Sequence, residues 1–229
     1  MILFFQENNP LLEEAVSQEK TLSIYRLIMD GGLGGQLIIG ILFVLLGVTL
    51  YIYFERYLAI QSASRIDENF MNQIKDDISN GKIATASALC IRTNTPTARL
   101  IGKGISRIGK PLEDINTAIE TAGKLEVYQL EKNVSVLATI AGAAPMIGFL
   151  GTVIGMIVAI HEIANAGGQI DIKMLSDGLY TAMTTTVGGL IVGIIAYVTY
   201  NHLVVRTNKI VYQMEATSVA FLDLLNEPV

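Results

Sequence analysis

The stretch GLYTAMTTTVGGLIVG, Gly178 to Gly193, decides how this chain is read. It lies in an apolar run, Leu175–Val205, that is long enough to cross a bilayer core, which takes about 20 residues of helix. Yet it carries Thr181, Thr184, Thr185 and Thr186, glycines at Gly188, Gly189 and Gly193, and no charged side chain. A lipid-facing helix has no use for that many hydroxyls and small residues together, so the stretch predicts a spanning helix packed against protein.

Two more runs reach spanning length, Gly34–Phe54 and Val134–Ile160, the latter extended to Ile163 by a polar end. With 51% hydrophobic and 16% charged residues in 229, and a mean hydropathy of +0.48, the chain reads as an all-α integral membrane protein. The net charge of −5 comes with no basic cluster beside aromatics, which argues against nucleic acid as a partner. Cys90 is the only cysteine, so one chain can build neither a disulfide nor a cysteine metal site. Met1–Phe5 is apolar but lacks the basic lead of a secretory signal, so the first run is expected to stay in the mature protein.

Basic residues favour the cytoplasmic side, and here they crowd between the first two spans, from Arg56 through Arg92, Arg99, Lys103 and Arg107 to Lys132. The segment before the first span has only Lys20 and Arg26 against five acids, and the link between the second and third spans has Lys173 alone. The expected topology is therefore a segment 1–33 outside, a first span 34–54, a cytoplasmic region 55–133, a second span 134–163, an outer loop 164–174, a third span 175–205, and a cytoplasmic tail 206–229. Leu112, Ile115, Ile119 and Ala122 mark an amphipathic helix in the middle region. Pro111 suits its first position, Glu113 and Asp114 suit its dipole, and no breaker follows before Pro145. One continuous helix is thus expected to rise from Pro111 into the membrane. Asn94–Pro96 and Gly102–Gly109 read as bends, and Val211, Met214, Leu222 and Leu225 as a helix continuing past the third span.

The first span, rich in Leu, Ile and Val, reads as lipid-facing, with Tyr51, Tyr53 and Tyr57 at headgroup level. The second and third differ. Gly148, Gly151 and Gly155 in one, and Gly189 and Gly193 in the other, have the spacing that lets helix backbones approach, and Pro145 is positioned to kink the second span. At helical spacing Ala182, Thr186, Gly189 and Gly193 share a face, and Thr152 lies beside the other glycine face. Each hydroxyl has two readings: it bonds back to a carbonyl one turn earlier, or it lines a polar path. Thr184 and Thr185 fit either, whereas Thr152 and Thr186 fit the second better. Threonine does not titrate near neutral pH, so a proton passing here needs an acid from another polypeptide.

An intramembrane enzyme is not indicated, because no Asp or Glu falls in Val134–Ile160 or Gly178–Val205. His161–Glu162 opens like a zinc-protease motif, but Asn165 stands where the second histidine belongs. GKGISRIG, Gly102–Gly109, lacks the spacing of a phosphate loop. His202 reads as interfacial, and Cys90 as a small packed residue rather than a nucleophile. No metal site or cofactor is expected.

GFLGTVIGM and GLYTAMTTTVGGLIVGIIAYVTYN, with YFERYLAI at the inner end of the first span, resemble the ExbB/TolQ family, distantly related to MotA, and the ExbB branch most. The resemblance covers essentially the whole chain. It implies a proton-driven stator of the bacterial inner membrane, so that the outer segment 1–33 and the outer loop 164–174 are periplasmic. In such a stator a ring, usually a pentamer, surrounds ExbD-like helices that supply a membrane aspartate. Work would pass through a TonB-like protein to outer-membrane transport, or, in the manner of TolQ, to envelope maintenance or surface motility. It also implies that Thr152 and Thr186 face the pore, with Thr181 and Thr185 as further proton-pathway candidates. Two positions depart from the family pattern: Thr181 stands where many members have Glu, and Ile195 where many have Pro. A passive membrane scaffold, in which the glycine faces only assemble a complex, is the alternative reading.

Overall fold

The computed structural model describes residues 32–64, 69–165 and 172–226. Segment 1–31, most of the link between the second and third spans, and the last three residues lie outside it, as do the expectations that fall on them. Among the described residues the chain is helical throughout: α1 (Gly32–Ala63), α2 (Phe70–Ser79), α3 (Ile83–Thr93), α4 (Pro96–Ile105), α5 (Leu112–Glu131), α6 (Val134–Asn165) and α7 (Ile172–Asn226). Three of these, α1, α6 and α7, are long and apolar enough to cross a membrane. Each outruns its apolar run or meets its polar end, and α7 continues unbroken through Val211, Met214 and Leu222, as its periodicity predicts.

The break between α3 and α4 falls where the sequence puts it. Asn94 takes a left-handed conformation (φ 47°) and its N–H bonds to the Cys90 carbonyl, Thr95 accepts from the Ala98 N–H, and Pro96 opens the next helix, where its missing N–H costs nothing. The bend expected within Gly102–Gly109 is found in its second half, after α4 ends at Ile105 and with Gly109 at φ 94°, while Gly102 and Gly104 lie inside α4. Gly104 is small for packing reasons, since a Cβ there would sit 2.6 Å from the Phe221 ring and 2.8 Å from Ile119.

The continuous helix expected from Pro111 to the membrane is interrupted. Pro111 precedes the first helical residue (ψ 145°), and α5 ends at Glu131 because Lys132 turns extended (ψ 131°) and Asn133 enters the left-handed region at φ 62°. Asparagine tolerates that conformation better than other side chains do, which is why a break forms without glycine or proline. The Val136 N–H then bonds to the Asn133 carbonyl as α6 begins.

Two apolar cores result. One lies among α2–α5 and the far ends of α1 and α7, with Ile60, Ile74, Ile101, Leu203, Ile210 and Phe221 at its centre. The other lies within the spans, where Ile38 and Leu42 of α1 pack on Ile140, Ala144, Val192 and Ala196. α1 buries that one face and exposes Leu37, Phe43, Val44 and Phe54 on the other, as a lipid-facing helix should.

Candidate functional site: a threonine pair on a glycine seam

The seam between α6 and α7 is closed by glycine. A Cβ on Gly148 would lie 2.8 Å from the Thr185 carbonyl oxygen, one on Gly189 would lie 2.6 Å from that of Ala144, and one on Gly155 would meet the Gly178 carbonyl at 3.2 Å. Contact at the level of backbone atoms is what small residues provide where lipid supplies no hydrophobic drive for association. α6 runs through Pro145 without ending, and the pyrrolidine ring fills the notch opposite Gly193, 2.6 Å from where a Cβ would stand.

This approach brings Thr152 of α6 and Thr186 of α7 together, hydroxyl to hydroxyl. Thr152 Oγ1 also donates to the Ala182 carbonyl at 3.0 Å, and Thr186 Oγ1 reaches the Gly148 carbonyl at 3.4 Å. Both residues are half-buried. Ala182 is four residues before Thr186, and Gly148 is four before Thr152. Each threonine therefore reaches the carbonyl that its partner, in an ordinary helix, would take for itself. Thr49, Thr93, Thr117, Thr139, Thr184, Thr199 and Thr217 all bond to carbonyls of their own helix.

The remaining threonines of the stretch divide. Thr184 bonds back to the Tyr180 carbonyl at 2.9 Å, and Thr185 to Ala182 at 2.9 Å. Thr185 is fully buried in the notch left by Gly151, where a Cβ would fall 2.5 Å from its Oγ1. Thr181 is buried too, with its methyl 2.6 Å from where a Cβ of Gly35 on α1 would be. Thr181 and Thr185 thus sit inside the subunit, between helices, while Thr152 and Thr186 stay partly open. Two acceptors of the site, the Gly148 and Ala182 carbonyls, went unnamed from sequence. Counting four residues back from each threonine is the signal that finds them.

Toward the α5 end of the spans, Tyr53 and Tyr57 turn in on α7 rather than out, and Tyr51 is exposed. The Tyr53 hydroxyl meets His202 Nδ1 at 3.1 Å, Arg206 Nε donates to His202 Nε2 at 3.1 Å, and the Arg206 guanidinium lies 4.9 Å over the Tyr57 ring. Away from the membrane, Arg99 on α4 grips Glu126 on α5 through two bonds, of 2.7 and 2.5 Å, while its third nitrogen holds the Asn94 carbonyl at 2.9 Å. The bond to Glu126 raises the Arg99 pKa above its ordinary value. Cys90 is buried, and burial lifts its thiol from 9.0 to about 11, the opposite of what a nucleophile needs. His161 Nε2 pairs with Asn165, and no cluster of His, Cys, Asp or Glu among the described residues could hold a metal ion.

The fold and its seam define a class: a helical membrane protein with three long apolar helices, two of which pack through shared hydroxyls with no acid in Val134–Ile160 or Gly178–Val205. Residues 92–216, more than half the chain and including both Thr152 and Thr186, match the model of the MotA/TolQ/ExbB proton channel family, and the chain belongs to that family. Among curated relatives it is 39% identical over 106 residues to an ExbB-like 2 biopolymer transport protein of Helicobacter pylori, a match covering 46% of this chain and 64% of the relative. It is 37% identical over 93 residues to the Tol-Pal system protein TolQ of Haemophilus influenzae, covering 41% and 40%. It is also 35% identical over 88 residues to the biopolymer transport protein ExbB of Aquifex aeolicus, covering 38% and 59%. The chain spans less than two thirds of the length of each. The family is one of proton channels, not of enzymes.

Proposed function

We propose that this chain is the ring-forming subunit of a motor of the bacterial inner membrane driven by the proton-motive force, most like ExbB. In this reading copies of the chain, a pentamer by family resemblance, surround helices of an ExbD-like partner that carries the membrane aspartate, and work leaves through a TonB-like protein toward outer-membrane transport. The region holding α2–α5 and the end of α7 lies in the cytoplasm, in keeping with the basic residues between Arg56 and Lys132. The first residues lie in the periplasm.

The observation that carries the reading is the Thr152–Thr186 pair: partly open hydroxyls on a glycine seam, with no carboxylate from Val134 to Ile160 or from Gly178 to Val205. The energies fit that division of labour. A carboxylate at mid-membrane costs about 2.5–3.5 kcal/mol on insertion scales, and a proton crossing 100 mV releases about 2.3 kcal/mol. Hydroxyls accept from a protonated acid and donate to an ionised one, so a few such contacts tip the balance between the two forms. Protonation then lets the carboxyl group pass an apolar sector that its ionised form does not cross.

Thr152→Val and Thr186→Val keep shape and remove the hydroxyl. The expected result is a complex that still assembles but loses uptake driven by the proton-motive force; normal uptake in both variants would favour a passive scaffold. The TolQ relative supports a second reading, in which the same site drives envelope maintenance. Deleting the gene separates the two: loss of outer-membrane uptake with an intact envelope favours the first, and leakage of periplasmic contents favours the second.

A further inference from the structure

The reciprocal bonding of Thr152 and Thr186 has a property that an ordinary back-bonded threonine lacks. Each hydroxyl has a single proton, so the pair has two arrangements. In one, Thr186 donates to Thr152 and Thr152 to the Ala182 carbonyl; in the other, Thr152 donates to Thr186 and Thr186 to the Gly148 carbonyl. Both arrangements make the same number of bonds, and no covalent bond changes between them. In the first, the Thr186 oxygen keeps lone pairs free to accept from a protonated acid. When an ionised carboxylate arrives instead, Thr186 can swing its proton toward it while Thr152 stays on Ala182.

The arrangement depends on the Ala182 carbonyl being held in place as its side-chain donor comes and goes. Thr185 does this. Its fully buried hydroxyl donates to the same carbonyl at 2.9 Å, and its Cβ and methyl fill the notch at Gly151, one residue before Thr152. Within the unbroken helix the Ala182 carbonyl already accepts the Thr186 N–H, so the backbone takes one of its two lone pairs and Thr185 and Thr152 share the other. When Thr152 turns to Thr186, Thr185 takes the shared position undivided, so the Ala182 carbonyl keeps a side-chain donor beside its backbone one and the two arrangements stay close in energy.

We propose that Thr185 is a positioning residue for the proton step: it touches no acid itself, but anchors the Ala182 carbonyl so that Thr152 and Thr186 can exchange partners at nearly constant energy. This rests on the functional reading above, and it gives Thr185 a role distinct from lining a path.

The test reconstitutes the chain with its acid-bearing partner in vesicles and measures proton flux, with solvent deuterium isotope effects, for Thr185→Val, Thr185→Ser and Thr185→Ala beside Thr152→Val and Thr186→Val. Thr185→Val fills the Gly151 notch but cannot donate. It is expected to assemble and to lower flux about five- to tenfold, the equivalent of one net hydrogen bond, with an altered isotope effect. Thr185→Ser, which keeps the donor, restores most of the flux; Thr185→Ala does not. Wild-type flux and isotope effect in Thr185→Val overturn the proposal, as does equal flux in the Ser and Ala variants should the Val variant fail to assemble. If Thr152→Val and Thr186→Val also run at wild-type rate, the functional reading itself fails; if they fall while Thr185→Val does not, only the positioning role is lost.

Discussion

The Arg99–Glu126 pair and the Thr152–Thr186 pair each join two helices through polar side chains, and they differ in what happens when they open. Parting Arg99 from Glu126 leaves a carboxylate that is 11% exposed without its counter-charge, an expensive state. Parting Thr152 from Thr186 leaves nothing unsatisfied, because each hydroxyl finds a carbonyl of its own helix one turn back. Charge therefore sits where two helices are held fast, and hydroxyls where the proposed function needs partners to exchange. The same chain keeps carboxylates out of Val134–Ile160 and Gly178–Val205 and uses them freely in α5.

The comparison can be broken most sharply at the seam that makes the hydroxyl pair possible. Gly189→Leu forces a side chain against the Ala144 carbonyl, which nothing flexible can relieve, so α6 and α7 must separate. Loss of the assembled complex in detergent is the expected outcome, a larger defect than that of either threonine variant, since packing fails as well as chemistry. Stable complex with wild-type flux would mean that the seam is not tight in the working state.

Next in size is the fixed pair. Glu126→Ala strips the Arg99 fork and is expected to cost about 1–3 kcal/mol, below the range for fully buried pairs because the Arg99 side chain is 41% exposed. Thermal unfolding of the purified chain reads this directly. The raised Arg99 pKa puts its titration above the ordinary arginine value, so its contribution is fully present at neutral pH and is lost only in strong alkali. A pronounced neutral-pH dependence of the wild-type to Glu126→Ala difference would contradict that.

A smaller effect sits at the break between α5 and α6. Asn133→Gly should be neutral or slightly stabilising, whereas Asn133→Val should cost about 1–2 kcal/mol, since a branched side chain at φ 62° is strained. Equal stability of the two would mean that the helices can join there after all. Smallest is the behaviour of Cys90. With its thiol pushed from 9.0 to about 11, alkylation of the folded chain should be slow at neutral pH and quicken as pH rises or when the chain unfolds. Its stabilising contribution is present below 9.0 and is lost as pH climbs toward 11. Fast labelling of the folded chain at neutral pH would place the thiol at the surface. For sidedness an exposed Lys110→Cys is the better probe: in intact cells it should react only with a membrane-permeant reagent.

What the sequence made legible follows its periodicities. Apolar runs announced α1, α6 and the membrane part of α7, and the glycine spacing announced which two helices touch, because both signals are repeated along many residues. The elbow at Asn94–Pro96 was readable from three adjacent residues with known backbone preferences. The break at Lys132–Asn133 was not, because a single left-handed asparagine carries no pattern around it. The site was half legible. Thr152 and Thr186 stood out beside small residues, but the burial of Thr181 and Thr185 depends on which side of α7 meets α1 and α6, and two adjacent threonines look alike until that rotation is known. The backbone acceptors at Gly148 and Ala182 carry no side-chain signature at all.

α7 is 55 residues long, roughly 80 Å at 1.5 Å per residue, and it runs from the hydroxyl level to Phe221 without a joint. The other route away from the membrane, α6 to α5, has a joint at Asn133. In the proposed motor, a twist delivered at Thr186 would have an unbroken helical path to the Phe221–Gly104 contact, whereas the path through α6 meets the break at Asn133. α7 packs on both α4 and α5, so both of those helices bear on the same strut.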